Sequence, residues 1–172
     1  MKKTYFAAVI ALLLSACSAD PQIVKQANVP RDTEIGVIPF RDCMIPGQDE
    51  DCNGSGNVAG TVFARAFSED GFRSELLSRP IGAKEALSDE AALALAKEKN
   101  LAFVINGEVT QFYSVAAGTF RPDRAGISVR ILRVADGEVA VSYSVTRASK
   151  TNFATPEGMI EDMAEEVRDE LE

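Results

Sequence analysis

The chain has no histidine, no tryptophan, no basic tract and only three cysteines in its 172 residues. Each absence removes a class of function. Without histidine there is no Ser-His-Asp or Cys-His arrangement and no His-Glu-x-x-His zinc helix. A Gly-x-Ser-x-Gly elbow is missing too. The 26 acidic residues supply carboxylate pairs by number alone. No aromatic cluster marks a sugar cleft in which such a pair could act. No catalytic residue is therefore assigned, and the chain is not expected to be an enzyme. The lack of a basic stretch argues against nucleic acid and anionic lipid as partners. Long hydrophobic runs are also missing. The apolar run from Tyr5 to Leu14 is about 10 residues, against about 20 for a bilayer-spanning helix.

That short run has a recognisable setting. Lys2 and Lys3 precede it and small residues follow, the layout of a bacterial export signal. Leu14-Ser15-Ala16-Cys17 resembles the lipobox of bacterial lipoproteins, which implies that residues 1–16 are removed and Cys17 is acylated. Two or three acyl chains, at roughly 0.8 kcal/mol per buried methylene, hold a protein on a membrane almost permanently. Ser18, rather than Asp, follows the cysteine. In such lipoproteins this implies the outer membrane, with the domain facing the periplasm.

Residues 17–32, with Pro21 and Pro30 and no periodicity, read as a lipidated tether. Residues 33–172 are long enough for one domain with a proper core. The formal charge is −8, and losing Lys2 and Lys3 takes it to −10, so a cationic partner is the electrostatically sensible one. Cys43 and Cys52 remain as an even pair in an exported protein, where a disulfide is the default. Such a bridge stabilises by roughly 2–3 kcal/mol in the chain-entropy model. Zinc would need four ligands, and there is no histidine or further thiol to supply them.

Ile35-Gly36-Val37-Ile38-Pro39-Phe40 reads as a buried strand, with the proline near its end. A helix is expected from Asn57 as N-cap, with Val58, Val62, Phe63, Ala66 and Phe67 on one stripe and Gly71 past its end. A short strand over Phe72–Leu77 follows. Then comes a helix capped by Ser88, with Asp89 and Glu90 in its first turn. Ala102 to Tyr113, Ile127 to Ile131 and Val139 to Val145 form a three-stranded meander, its second link the pair Asp136-Gly137, expected as a type I′ turn. Thr155 and Pro156 open a last helix, on which Met159, Met163, Val167 and Leu171 recur every four residues. The fold class is α/β (α+β): a mixed sheet of about five strands in the order β-α-β-α-β-β-β-α, with helices packed on it.

Three local patterns remain. Gly54-Ser55-Gly56-Asn57-Val58-Ala59-Gly60 lacks the glycine spacing and the Lys-Ser/Thr pair of nucleotide loops and reads as a flexible loop entering a helix. Asp49, Asp51 and Asn53, followed by Gly54, match the opening half of a calcium loop, but Gly60 stands where the chelating Glu belongs. Calcium or a solvated acidic turn are the two readings, and no other cofactor is suggested. The last helix is acidic on its outer face through Glu161, Glu165, Asp169 and Glu172, and Phe120 sits in a turn-rich segment. Both are candidate partner surfaces.

The strands Ile35–Phe40, Val104-Ile105-Asn106-Gly107-Glu108-Val109 and Ile127-Ser128-Val129-Arg130-Ile131-Leu132, together with Asp136-Gly137-Glu138-Val139 and the closing amphipathic helix, resemble one superfamily. It is the domain shared by the curli secretion lipoprotein, the Pel polysaccharide export lipoprotein and the lipoprotein activators of penicillin-binding proteins. The likeness covers roughly residues 33–171, and the Pel export lipoprotein is the closer match in length. It implies a non-enzymatic outer-membrane lipoprotein, accessory to an envelope export system for polysaccharide or protein. Its partners would be the membrane through the anchor, an envelope protein complex or a cationic polymer, and further copies of itself in an oligomer. The alternative it implies is a periplasmic binding module that activates an envelope enzyme such as a peptidoglycan synthase.

Overall fold

A computed structural model of the chain describes residues 21–47, 49–114, 122–149 and 154–171. In chain order the elements are β1 (Gln22–Lys25), β2 (Glu34–Val37), a single helical turn (Asp49–Cys52), α1 (Ser55–Glu69), β3 (Arg73–Leu76), α2 (Asp89–Glu98), β4 (Phe103–Tyr113), β5 (Arg124–Arg133), β6 (Val139–Ala148) and α3 (Pro156–Asp169). No helix among the described residues is long and apolar enough to cross a membrane.

One mixed sheet runs β1-β6-β5-β4-β2-β3. β2 is parallel to both β3 and β4, and β4, β5, β6 and β1 are successively antiparallel. The parallel pairs need crossovers, which α1 and α2 supply, while the antiparallel strands are joined by direct links. The meander is where the alternation of Ile127, Val129 and Ile131 with Ser128 and Arg130 placed it.

The alternation feeds two cores. On one face Ile35, Val37, Ile105, Val129, Val141 and Tyr143 meet Phe63 and Phe67 of α1 and Met163 and Val167 of α3 in one buried cluster. A smaller cluster on the other face packs Ala92 and Ala96 of α2 against Val104, Leu132 and Leu101. Two helix starts follow the local chemistry. Ser88 Oγ accepts from Ala91 N–H at 3.2 Å, and Thr155 Oγ1 accepts from Gly158 N–H at 3.1 Å, with Pro156 in the first turn.

Four expectations need correction. The sheet has six strands, not about five, because β1 arises in the stretch read as tether. Its four residues pair with the free edge of β6, and Ile23 alone packs against the core. One inward apolar residue leaves no periodicity to read. The strand over Ile35–Phe40 is regular only to Val37, though Ile38 N–H still donates to Ile105 O at 3.1 Å. α1 begins at Ser55 rather than after an Asn57 cap, so the glycine-rich segment is not a loop. Gly56 and Gly60 lie inside the helix, where a Cβ at Gly56 would stand 1.9 Å from the Phe40 carbonyl oxygen. Glycine is required there to let the helix backbone press on the end of β2. The β5–β6 link is not a type I′ turn. Gly137 is at φ +79° but Asp136 is not at positive φ, and the loop closes between Arg133 N–H and Glu138 O at 2.8 Å. Asp136 stabilises the longer loop by accepting from Glu138 N–H and Arg133 Nε, both at 3.0 Å.

Candidate functional site

The segment after β2 is held by its cysteines. Cys43 and Cys52 form a disulfide, both side chains are buried, and their Cα atoms are 5.0 Å apart. The bridge has a neighbour that sequence reading missed. Gly54, the residue before α1, is at φ +82° and offers no side chain to the helix's free N–H groups. Asp42, 4% exposed, supplies the acceptor from across the loop: its carboxylate takes Gly54 N–H at 2.9 Å and Gly56 N–H at 2.7 Å. Ser55 Oγ accepts from Cys43 N–H at 3.1 Å. The disulfide thus closes a loop whose other purpose is to deliver a carboxylate to the positive end of α1. No pattern of adjacent residues signals a cap supplied from twelve residues upstream.

Beyond the reach of α2, the second face of the sheet is polar. Its rows follow the register: Glu108, Ser128 and Ser144 lie side by side on β4, β5 and β6, and Asn106, Arg130 and Ser142 form the next row. A shallow cavity of about 140 Å³ opens here, lined by Arg41, Leu87, Asn106, Glu108, Ser128 and Arg130. Asn106 is 3% exposed and donates to Leu87 O at 3.1 Å and Asp89 Oδ1 at 2.9 Å. Arg130 pairs with the same Asp89 oxygen at 3.1 Å, and Arg41 pairs with Glu108. Each charge has an opposite neighbour, so the arrangement offers hydrogen-bonding groups with little net charge. Such a surface suits recognition or packing.

Asp49 and Asp51 fall on the helical turn Asp49–Cys52, with Asn53 after it. Among the described residues no group of three or more carboxylates or cysteines is placed to hold a metal. Cys17, Phe120 and Glu172 lie outside the described residues. The acidic face of α3 is less uniformly negative than its sequence suggests, because other elements bring cations to it. Glu161 pairs with Arg65 of α1 at 2.7 Å, while Asp169 pairs within the helix with Arg168 at 2.9 Å. Glu165 is exposed. Glu166 accepts from Arg147 at 2.5 Å and from the buried Tyr143 hydroxyl at 2.9 Å. Burial, and then that bond to a carboxylate, raise the Tyr143 hydroxyl well above the ordinary phenol value, so it acts as a fixed donor.

No family model matches the chain, and no curated protein matches it in sequence. Solved structures do. The PelC dodecamer from Paraburkholderia phytofirmans superposes with a TM-score of 0.66 at 16% identity, covering 88% of this chain and 95% of PelC. The chain has the PelC fold. A single-residue variant of the PelC dodecamer agrees, with a TM-score of 0.64 at 15% identity over 88% of this chain and 98% of the other. Lipoprotein GNA1162 from Neisseria meningitidis is a looser likeness, TM-score 0.48 at 15% identity over 81% of this chain and 97% of its own. The expected resemblance to the Pel export lipoprotein holds at the level of fold, including the mixed sheet and the helices against it.

Proposed function

We propose that this is a non-enzymatic outer-membrane lipoprotein, anchored through Cys17 with its domain in the periplasm, that assembles as an accessory component of an envelope export system. The observation that carries the reading is the fold match to PelC over nearly the whole of both chains, PelC being a dodecamer. The lipobox and the disulfide, which belongs to an oxidising compartment, point the same way. The contribution comes from surfaces: the acidic residues Glu161, Glu165 and Asp169 on α3 and the Phe120 segment are offered to neighbouring copies, an envelope complex or a cationic polymer. Calcium at Asp49, Asp51 and Asn53 stays a subsidiary proposal, which calorimetry with millimolar calcium tests directly.

Sedimentation of the lipid-free domain over a concentration series tests the assembly. A closed oligomer is the expected result. A monomer at every concentration, unchanged by added membranes, refutes the closed oligomer and puts the enzyme-activating module ahead. Cys17→Ser is expected to abolish acylation and leave the precursor unprocessed, read by mass spectrometry. An unmodified N-terminus at another residue would refute the anchor.

A further inference from the structure

The sheet has two free edges. β1 is its first strand and β3 its last, each four residues long, and among the described residues no strand pairs with the outer side of either. Each edge keeps a large apolar side chain in water: Val24 on β1 is 54% exposed and Leu76 on β3 is 44% exposed. Unpaired main-chain groups with apolar side chains beside them are what an added strand needs.

Main-chain bonding fixes which groups face outward. Gln26 N–H donates to Ala140 O at 2.8 Å, so Gln22 and Val24 bond inward to Ser144 and Ser142. Ile23 and Lys25 present their N–H and C=O to the outside. On β3, Arg73 N–H donates to Thr33 O at 3.1 Å and Leu77 N–H to Val37 O at 2.8 Å, which leaves Ser74 and Leu76 facing outward. Side-chain direction adds a second constraint. Ile23 packs against the core beneath α1 and α3, and Lys25 alternates with it onto the same face. Ser74 Oγ donates to Ala64 O of α1, and Leu76 lies beside Val37 of that core, so both are on this face too. Strand direction is the third constraint: followed across the sheet, β1 runs antiparallel to β3.

All three agree in one register between β1 of one copy and β3 of the next. Ile23 stands opposite Leu76 and Lys25 opposite Ser74, both as hydrogen-bonded pairs on the α1 face. Val24 stands opposite Glu75 on the other face. Ser74 Oγ is 2.6 Å from Ser68 Oγ near the carbonyl end of α1, so Lys25 meets the end of that helix where a cation is stabilised. Pairing β3 with itself under the same constraints sets Glu75 against Glu75, a like-charge contact that destabilises. Like-with-like pairing also closes after two copies, whereas unlike edges continue from copy to copy until the rotation closes.

We infer that β1 and β3 are the two halves of a subunit interface, joined antiparallel so that the sheet continues from one copy into the next. The inference rests on the closed oligomer proposed above and names the surfaces that build it.

Val24 and Glu75 form a non-hydrogen-bonded pair in this register, with Cα atoms about 4.5 Å apart, within reach of a disulfide. Both side chains are exposed, so cysteine at either position leaves the core intact. The variants are made in the full lipidated chain in detergent and oxidised mildly. Val24→Cys mixed with Glu75→Cys is expected to give a covalent dimer, the double variant a ladder of longer species, and each single variant alone neither. Arg73→Cys in place of Glu75→Cys is two residues out of register and should crosslink several-fold less. Absence of the mixed dimer, equal crosslinking out of register, or equal crosslinking of either single variant with itself overturns the inference. If the unsubstituted chain still sediments as an oligomer, assembly stands and uses other surfaces. An unsubstituted chain that is monomeric throughout overturns the assembly and the inference with it.

Discussion

On one face of the sheet α1 and α3 cover the strands from β2 to β6, and Phe63, Phe67, Met163 and Val167 are fully buried there. On the other face α2 covers only the end near Val104 and Leu132, and Ser128, Arg130, Ser142 and Ser144 stay at the surface. The strands contribute alternate residues to both faces, so the same ten residues of β5 or β6 contain a core half and a surface half. Stability is thus concentrated on one side of the sheet. On the other, side chains at the surface can be replaced at little cost in stability.

The sharpest way to test that asymmetry is to compare cavities with surface changes. Phe63 is 0% exposed, with its ring 4.9 Å from that of Phe40, and Phe63→Ala is expected to cost about 3–5 kcal/mol in urea unfolding. A loss below about 1 kcal/mol would mean that the covered face is not where stability resides. Next in size is the tie between α1 and the end of β2. Replacing Cys43 and Cys52 together by serine should lower stability by about 2–3 kcal/mol, in line with a closed loop of this length. Asp42→Ala should cost about 1–2 kcal/mol by uncapping Gly54 and Gly56 N–H, and Asp42→Asn less, because its amide oxygen can still accept. Against these, Ser144→Ala on the open face is expected to stay within about 0.5 kcal/mol. If it destabilised as much as Asp42→Ala, the open face would be structural after all.

The smallest effect depends on pH. The bond from Arg133, with that from Glu138 N–H, lowers the Asp136 carboxyl below its usual value. A depressed folded-state value means its contribution is present above the ordinary carboxylate range. The contribution is lost as pH falls through the lowered folded value. The stability difference between the wild type and Asp136→Asn should therefore be constant near neutrality and shrink under acid. A difference that grew under acid would contradict the assigned hydrogen bonds.

How legible these regions were follows from the range of the interactions. The covered face was readable: Met159, Met163 and Val167 declare it on α3, and Ile127, Val129 and Ile131 on β5. The open face was readable as polar alternation, but its cavity was not. Asn106, Arg130 and Asp89 come together there from three elements, and Arg41 meets Glu108 from 67 residues away. Gly56 was visible as a glycine and misread as loop, because its partner, the Phe40 carbonyl, is brought to it only by packing. The acidic stripe of α3 was visible as charge, while Arg65 and Arg147, which neutralise part of it, belong to other elements.

By itself the sequence determined the meander, the Ser88 and Thr155 helix starts and the apolar stripe of the last helix. Periodicity and capping act within a few residues, so they are written in consecutive letters. Tertiary structure alone decided that Gln22–Lys25 would become an edge strand, that Asp42 would cap a helix beginning well downstream of it, and that the Phe40 carbonyl would press on Gly56. Each depends on groups distant in the chain being held at bonding distance, and only the packed sheet and its strand register provide that.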